Sequence, residues 1–292
     1  MGGLASQIHK YAIGKALAEK HQVPLFLDLS WFKNAPEEDT KWPYHLDKYS
    51  IEYQEADVSL IKDMKPSKFM VSFVRRFNRL FKTSLKFKNY SSSSFMEMNE
   101  FSDLPSSLYL EGEWVGSSYF QNIREILLGE LVLTQDLSDE AIALGDRIKN
   151  TDSVSVHFRR GDYLTNKAAA NFHSELSLNY YVQAIDLMKK KYRNLHLYVF
   201  SDDIEWVKLN VDFDCAEVTF INSLPEYEEF HLISLCKSNI IANSSFSWLA
   251  SWLNENSDKS VIAPNSWVKD KEINNIILKS YSNEDIKFLE SN

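Results

Sequence analysis

The stretch Val154-Ser155-Val156-His157-Phe158, followed at once by Arg159-Arg160-Gly161, decides the fold of this sequence. Its apolar residues predict a buried strand that ends at a polar cluster. The same pattern recurs through the second half of the chain, where helical patterns separate the apolar runs. Further strands are predicted at 195–200, 218–221, 239–242 and 261–263, and helices at 180–192, 226–237 and 245–253. Strands that alternate with helices predict an α/β fold with a mostly parallel sheet and right-handed crossovers.

The first half of the chain is less regular. Residues 6–21 carry an apolar stripe typical of a helix, and residues 24–28 predict a short buried strand. Residues 34–107 mix polar segments with a basic stretch, and the serine run at 91–94 is predicted to be a loop. A chain of 292 residues exceeds what one core usually holds, so we predict two domains, 1–150 and 151–292.

The composition excludes several classes of protein. Aromatic residues make up 13% of the chain, with only 8 Gly and 7 Pro, which excludes disordered and fibrous chains. No window approaches the roughly 20 apolar residues of a membrane span, and no signal peptide is visible. The two cysteines, Cys215 and Cys236, cannot form a disulfide framework and have no zinc-ligand spacing. These features predict a cytoplasmic protein.

The first polar cluster is the arginine pair that follows the strand at 154–158. Ligands of parallel α/β sheets bind beyond the carboxyl ends of the strands. Two guanidinium groups suit a diphosphate, because they pair with phosphate oxygens in a bidentate manner and stay charged at any working pH. Gly161 then lets the backbone approach a ligand. An arginine–aspartate ion pair that fixes the loop is the alternative explanation, and both can hold at once.

Two further clusters follow later strands. The carboxylates of Ser201-Asp202-Asp203 suit ribose hydroxyls or the N–H groups of a base, although this triplet is also typical of a helix N-terminus. Asn243-Ser244-Ser245-Phe246-Ser247 leads into a helix whose N–H groups and serine hydroxyls would form an anion site facing the arginines. Simple capping by a serine is the alternative here. The chain has no Gly-x-Gly-x-x-Gly or Walker motif, so nicotinamide and P-loop chemistry are unsupported.

Basic charge is concentrated in residues 61–90. This stretch holds nine basic residues and one acidic residue, whereas the rest of the chain holds 23 basic and 40 acidic residues. Apolar residues are interleaved with the bases: Phe69, Phe73, Phe77, Leu80 and Phe81. Either the bases form a solvated helix face, or the stretch is an amphipathic surface for anionic lipid or a phosphate-bearing acceptor. Nucleic-acid binding is disfavoured because the whole chain is acidic, at a net charge of −9, and has no matching motif.

The order of these motifs resembles the α-1,2-fucosyltransferase family, glycosyltransferase family 11. Further matches along nearly the whole chain are Gly2-Gly3-Leu4 with Gln7, Trp114 with Tyr119-Phe120, and 259–264 with Trp267. The resemblance implies a GT-B-like α/β fold of two Rossmann-type domains, with the active site in the cleft between them. Residues 1–150 would form the acceptor-side domain, without the strand that the family has before Gly2-Gly3, and residues 151–292 the donor-binding domain.

The resemblance also implies an activity and a set of site residues. The activity is an inverting, metal-independent transfer of L-fucose from GDP-β-L-fucose to the 2-hydroxyl of a galactose-type acceptor, with no cofactor. Arg159 is the first candidate for the β-phosphate, and Trp114 and Tyr119 are candidate walls for the acceptor. Asp162 is the first candidate for the general base and His157 the second, although Asp162 equally fits a bracing role beside the arginines. The other implied donor-binding residues are Arg160, Asp202, Asp203, Asn243, Ser244, Ser245, Phe246, Ser247, Gly2, Gly3 and Gln7.

Some residues depart from the family pattern. Ala5 and Ser6 replace a Gly and an Asn, Leu249 a Trp, and Glu229 an Asp. They keep two alternatives open, a catalytically impaired GDP-sugar or glycan-binding protein and a transferase of another GDP-deoxyhexose. The lack of a membrane span separates the chain from the Golgi-anchored relatives and indicates a bacterial-type enzyme of O-antigen or related polysaccharide synthesis. If the acceptor oligosaccharide is lipid-linked, residues 62–88 would dock the enzyme at the inner face of the cytoplasmic membrane.

Overall fold

The structure is a computed structural model of the chain, and it divides the chain into two compact units. It describes residues 2–35, 41–82, 87–92, 98–112, 114, 116–161, 167–214, 217–281 and 285–291. The units are Met1–Thr134 and Gln135–Asn292, so the division falls before the predicted position at 150. The reason is that Ser138 donates its N–H and hydroxyl to the Glu228 carboxylate, at 2.7 and 2.8 Å, which ties the segment before 150 to the second unit.

The first unit consists of short elements around one long helix. Its helices are α1 (Leu4–His21), α2 (Ser30–Lys33), α3 (Val58–Met64), α4 (Lys68–Phe81), α5 (Met98–Ser102) and α6 (Arg124–Glu130). Two parallel strand pairs accompany them, β1 (Phe26–Leu27) with β2 (Gln54–Glu55) and β3 (Tyr90–Ser92) with β4 (Tyr109–Glu111). The helix predicted at 6–21 is confirmed as α1, whose apolar side packs into the core.

Two predictions for the first unit are wrong. The strand predicted at 24–28 is only two residues long and is not buried, since Phe26 is 42% exposed. Within the described residues β1 pairs with β2 alone, so one of its edges has no neighbouring strand. Ser91 and Ser92 belong to β3 rather than to a loop, while Ser93 and Ser94 lie outside the described residues.

The second unit is built on one parallel sheet of six strands. The strands are β5 (Asp152–Phe158), β6 (Leu195–Ser201), β7 (Glu217–Ile221), β8 (Ser238–Ile240), β9 (Val261–Pro264) and β10 (Ile286–Leu289). The helices are α7 (Asp139–Lys149), α8 (Lys167–Phe172), α9 (Leu178–Lys191), α10 (Ile204–Asn210), α11 (Glu226–Leu235), α12 (Ser245–Leu253) and α13 (Lys271–Ser280). The predicted α/β fold with a parallel sheet is thereby confirmed.

The order of the strands decides where a ligand can bind. The sheet runs β7-β6-β5-β8-β9-β10, which is the 3-2-1-4-5-6 order of the doubly wound Rossmann fold. The chain moves outward from β5 to β7 and then crosses back to β8 on the other side of β5. Ligands of such sheets bind at this reversal, beyond the carboxyl ends of the strands. In this chain the reversal lies between β5 and β8.

The sheet is held by a core on both of its faces. Six of the seven residues of β5 are buried, which explains its nearly continuous apolar pattern. Tyr180 in α9 is fully buried, and its hydroxyl donates to the carbonyls of Ile241 and Ile262 at 2.6 and 3.1 Å. This contact fixes α9 against the ends of β8 and β9. Among the described helices, none combines the length and apolar content of a bilayer span.

Candidate active site

Asp202 joins the first two polar clusters. Arg159 follows β5, and its guanidinium lies 3.2 Å from Asp202 Oδ2. The backbone N–H of Arg160 donates to Asp202 Oδ1 at 2.8 Å. Both side chains of the Arg159–Asp202 pair keep about a quarter of their surface exposed, at 28% and 22%. The arginine–aspartate ion pair is therefore present, and it presents the guanidinium at the end of the strand rather than burying it.

The second arginine stacks on an aromatic ring. The guanidinium carbon of Arg160 lies 3.3 Å from the centre of the Trp206 ring, and its Nε lies 3.7 Å from Asp203 Oδ2. Stacking and ion pairing together orient the planar guanidinium. Asp203 also caps α10, because its Oδ1 accepts from the N–H of Trp206 at 3.4 Å. The predicted capping role of the Ser-Asp-Asp triplet is thereby observed.

Gly161 leaves room for the Asp202 carboxylate. A Cβ atom at position 161 would lie 3.2 Å from Asp202 Oδ2 and 3.3 Å from its Cγ. Those distances are shorter than ordinary van der Waals contacts, so a larger residue would require the Asp202 carboxylate to shift by a few tenths of an ångström. The glycine after the arginine pair thus lets the carboxylate keep its present position beside the arginines.

His157 joins the first and third clusters. Its Nδ1 lies 2.9 Å from Ser247 Oγ in α12, and its ring packs against Phe246 at 5.7 Å. Burial, reinforced by the positive charge of Arg159, lowers the pKa of His157 to about 3. The ring is therefore neutral and a weak base at physiological pH, which argues against its predicted role as a general base. The contact with Ser247 ties the end of β5 to the first turn of α12.

The third cluster is a capped helix N-terminus. Ser244 is the N-cap of α12, and its hydroxyl accepts from the N–H of Phe246 at 3.3 Å. The predicted serine cap is therefore present. Asn243 is buried and donates to the carbonyls of Ser174 and Trp267 at 2.8 and 3.0 Å. Its amide nitrogen fixes neighbouring loops instead of pointing to a ligand, which the sequence did not predict.

The three clusters thus lie at the carboxyl ends of the neighbouring strands β6, β5 and β8, where Asp202 links the first two and the His157–Ser247 contact links the first and third. Two half-buried guanidinium groups and the positive end of the α12 dipole lie at this edge. Fixed positive groups of this kind stabilise an anion that gains charge during a reaction. Asp162, predicted as general base, lies outside the described residues. Among the residues that are described, no three His, Cys, Asp or Glu side chains form a cluster that could hold a metal.

The predicted N-terminal site residues lie in the first unit. Gln7 is buried, and its amide donates to the carbonyls of Gly2 and Pro43 at 3.0 and 2.9 Å and accepts from the N–H of His45 at 2.9 Å. Both amide protons are therefore used within the protein, contrary to the prediction of a donor contact. Gly3 is the N-cap of α1. Gly2 has a φ of 150° and packs so closely on Ser6 that a Cβ would lie 2.7 Å from that side chain.

The two predicted acceptor residues have different surroundings. Trp114 is buried in the wall of a cavity of about 910 Å³ within the first unit. The cavity also carries aromatic and acidic side chains: Trp31, Phe32, Tyr44, Tyr109, Asp28 and Glu111. Tyr119 is 4% exposed and packs edge-on against Phe101 at 5.1 Å. Trp114 therefore lines a space that a ligand can fill, whereas Tyr119 is a core residue.

Comparison with known proteins identifies the family. The model of glycosyl transferase family 11 matches residues 49–284. The chain belongs to glycosyltransferase family 11. It is 35% identical to an alpha-1,2-colitosyltransferase of Escherichia coli, over 94% of this chain and 92% of that protein. It is 31% identical to the O-antigen biosynthesis glycosyltransferase WbnK of Escherichia coli, over 97% and 98%. Human galactoside alpha-(1,2)-fucosyltransferase 1 is 29% identical over 53% of this chain and 45% of its own length.

Membership of family 11 confirms the resemblance and makes the protein a glycosyltransferase. Sequence reasoning missed one residue of the site of this family 11 enzyme, Trp206, which holds the Arg160 guanidinium. The signal was available, because Trp206 follows a strand end and a capping aspartate by one helical turn. An aromatic ring one helical turn after the capping aspartate lies on the same side of the helix as that aspartate, and therefore near the same edge of the sheet.

Glu229 in α11 gives the folding stability of the protein a pH dependence that we can predict. Burial, with smaller contributions from Glu226 and Asp202, raises the pKa of Glu229 from 4.5 to about 7. The folded state thus holds this proton more tightly than the unfolded chain. The stability that the proton contributes is complete below about pH 4.5 and is lost as the pH rises to about 7.

We therefore expect Glu229→Gln to stabilise the protein at pH 8 by about 2 kcal/mol and to have little effect near pH 4.5. Glutamine keeps the shape of the side chain and removes its charge. Urea unfolding of the variant and the parent at both pH values measures the difference. Glu255→Gln, at an exposed loop carboxylate, is the matched control and should change stability equally at both. A stabilisation by Glu229→Gln that is the same at both pH values would contradict the assignment.

Proposed function

We propose that this protein transfers L-fucose from GDP-β-L-fucose to the 2-hydroxyl of a galactose-type acceptor, with inversion at the anomeric carbon. The observation that carries the proposal is that the arginine pair follows β5 and the N-terminus of α12 follows β8, the two strands on either side of the strand reversal, and that the end of β5 contacts α12 through His157 and Ser247. That is the position of a diphosphate in a 3-2-1-4-5-6 sheet. The names of the two alpha-1,2 relatives support the linkage, and the name of the human relative supports fucose and a galactoside.

The chemistry follows from the position of the charges. The acceptor oxygen attacks C1 of the sugar from the face opposite the diphosphate, the C1–O bond to the β-phosphate breaks, and the acceptor hydroxyl loses its proton. The leaving GDP gains negative charge as that bond lengthens. Arg159 stabilises the charge on the β-phosphate, Arg160 binds the other phosphate, and the α12 N-terminus adds its dipole. Because these groups are fixed before the reaction, no metal is needed in this proposal.

We assign the proton to Asp162, the carboxylate closest to the arginines along the chain. The bracing role that was its alternative is filled by Asp202, which contacts both arginines. His157 is too weak a base for this step because its pKa is about 3. In this proposal Asp203 and the Trp206 ring lie on the nucleoside side of the diphosphate, since both lie beyond Arg160 on α10.

We further propose that the acceptor is an oligosaccharide, carried on a lipid diphosphate, that contacts the Trp114 cavity of the first unit. Sugars bind to aromatic faces through their C–H groups and to carboxylates through their hydroxyls. The cavity offers both, since Trp31 and Trp114 lie in its wall together with Asp28 and Glu111. The name of the relative WbnK, an O-antigen biosynthesis glycosyltransferase, supports an acceptor of this kind.

One comparison supplies a second candidate for the donor, GDP-colitose. The relative with 35% identity is named for colitose, which is fucose without its 3-hydroxyl. A site that hydrogen-bonds a hydroxyl rejects the analogue lacking it by up to about 10⁴-fold, whereas an apolar site discriminates only weakly. The ratio of kcat/KM for GDP-fucose and GDP-colitose therefore decides between the two donors. We expect GDP-fucose to be preferred, and a preference for GDP-colitose would replace the proposed donor sugar.

The proposed function is tested by incubating the purified protein with each donor and a glycan array in the presence of EDTA. We expect GDP release together with a new α-1,2 linkage on galactose-terminated glycans, identified by NMR. Activity that requires an added divalent cation would overturn the metal-independent mechanism. GDP binding in calorimetry with no transfer to any glycan would instead support the catalytically impaired binding protein.

A further inference from the structure

The helix α4 has an unusual surface. It contains four basic residues and no acidic residue, and none of its described side chains is buried. Four of its large apolar side chains are among the most exposed of the protein, with Phe69 at 77%, Leu80 at 68%, Phe81 at 64% and Phe73 at 56%. A surface helix normally turns its apolar side towards the core, whereas this apolar face is left exposed by the part of the chain that the structure describes.

The apolar and basic residues occupy opposite sides of α4. At 3.6 residues per turn, the apolar face spans roughly 120° and contains Phe69, Met70, Phe73, Phe77, Leu80 and Phe81. The aromatic rings form a continuous row, with Phe77 centred 6.3 Å from Phe73 and 4.6 Å from Phe81. The arginines lie on the other side of the helix, with Arg76 at the boundary. This is the distribution of a helix that lies in a membrane interface.

Two of the arginines of α4, Arg76 and Arg79, are available to a partner. Within the described residues neither Arg76 nor Arg79 forms an ion pair, and both are exposed. Lys65, which the sequence grouped with the same basic stretch, pairs instead with Glu111 at 2.9 Å and donates to the Tyr109 hydroxyl. Lys86, from the same stretch, lies outside the described residues. The exposed basic residues of the stretch therefore lie on α4 and on both sides of it in the chain.

We propose that α4 binds the surface of an anionic lipid bilayer, with its phenylalanines among the acyl chains and its arginines at the lipid phosphates. Charge complementarity favours this partner, because α4 is basic whereas the chain as a whole has a net charge of −9. An acidic protein approaches an anionic surface only through such a local patch. The exposed row of aromatic rings adds the apolar contact that a purely electrostatic partner would not need.

The test is co-sedimentation of the full chain with phosphatidylcholine vesicles, with and without phosphatidylglycerol. We expect binding that needs phosphatidylglycerol and weakens with added salt. Phe73→Gln/Leu80→Gln removes apolar contacts while glutamine preserves helix propensity, and it should weaken binding by at least about 10-fold. Leu209→Gln, at a residue that is 84% exposed in α10, is the matched control and should bind as the parent does.

The charge component has its own pair of variants. Arg76→Gln/Arg79→Gln should weaken binding by about 10-fold or more at low salt. Lys190→Gln/Arg193→Gln removes two exposed charges from the second unit and should leave binding unchanged.

Two outcomes would overturn the proposal: equal binding of the parent protein to neutral and anionic vesicles, or equal losses of binding from Arg76→Gln/Arg79→Gln and Lys190→Gln/Arg193→Gln. Concentration-dependent dimers that Phe73→Gln/Leu80→Gln abolishes would assign the face to a second copy of the chain. Transfer to a soluble acceptor should be unchanged in every variant, so this test is independent of the sugar chemistry.

Discussion

Arg159→Ala is expected to lower kcat for transfer by about 100- to 1000-fold, because it removes a fixed charge that acts on the leaving diphosphate. The guanidinium of Arg159 lies at the end of β5, held at 3.2 Å from Asp202. In the proposed reaction its interaction with the β-phosphate strengthens as the bond to the sugar breaks. Loss of such an interaction reduces kcat more than it changes KM. Single-turnover and steady-state measurements of GDP release separate the two parameters.

The fold should survive this substitution. Asp202 loses an ion pair that is partly exposed, and such pairs contribute about 1 kcal/mol or less. It keeps the hydrogen bond from the Arg160 N–H at 2.8 Å, so the loop after β5 retains its attachment. We therefore expect the urea midpoint of Arg159→Ala to stay close to that of the parent. Loss of activity accompanied by global unfolding would point to a structural role instead.

Two further variants sharpen the result. Arg147→Ala removes an arginine that pairs with Glu217 at 3.5 Å, with both side chains more than half exposed, and it should leave kcat unchanged. Arg159→Lys keeps the positive charge but loses the bidentate fork, so it should fall between the parent and the alanine variant. If purified Arg159→Ala turned over the donor as fast as the parent, the assignment of Arg159 would fail.

The strands of the second unit were predictable from the sequence, because a parallel strand is buried on both faces and therefore consists of a nearly continuous run of apolar residues. The apolar runs at 154–158 and 195–200 appear as β5 and β6, with small shifts at their ends. In contrast, β10 and α13 were not predicted. Residues 286–289 lie at the edge of the sheet and none of them is buried, and α13 buries only two residues, so neither forms a buried apolar run. The strands of the first unit are too short for any periodicity to show.

The candidate site could be predicted only in part. The strand-end rule located the three polar clusters, since it depends on sequence order alone. The rule could not predict which side chains would form hydrogen bonds or ion pairs with one another. Asp202 contacts both arginines, and Gln7 donates both its amide protons to backbone carbonyls, and neither result follows from residue type. Such pairing depends on differences of a few tenths of an ångström in the positions of side-chain atoms, and these positions are set only once the sheet is assembled.

Asn239→Ala is expected to lower the free energy of unfolding by about 3 kcal/mol, the largest loss of stability that we predict. Asn239 lies in β8 with no exposed surface. Its amide donates to Ser155 Oγ at 2.8 Å and to the Ile233 carbonyl at 2.9 Å, and its Oδ1 accepts from Asn254 Nδ2 at 2.9 Å. Alanine would leave several of these buried polar groups without that partner, where water cannot replace it.

Urea unfolding measures this loss, and Asn210→Ala provides the matched control. The Asn210 amide also donates to a backbone carbonyl, that of Trp206 at 2.8 Å, but at an exposed site where water can take its place, so its loss should cost below about 1 kcal/mol. The double variant Asn239→Ala/Asn254→Ala should lose less stability than the sum of the single variants, since the two amides share a hydrogen bond. Equal losses from Asn239→Ala and Asn210→Ala would show that burial adds nothing to the network. A large loss from Asn239→Ala would establish that this amide holds β8 in place, and β8 leads directly into the Asn243–Ser247 turn, to which the proposed function assigns part of the diphosphate site.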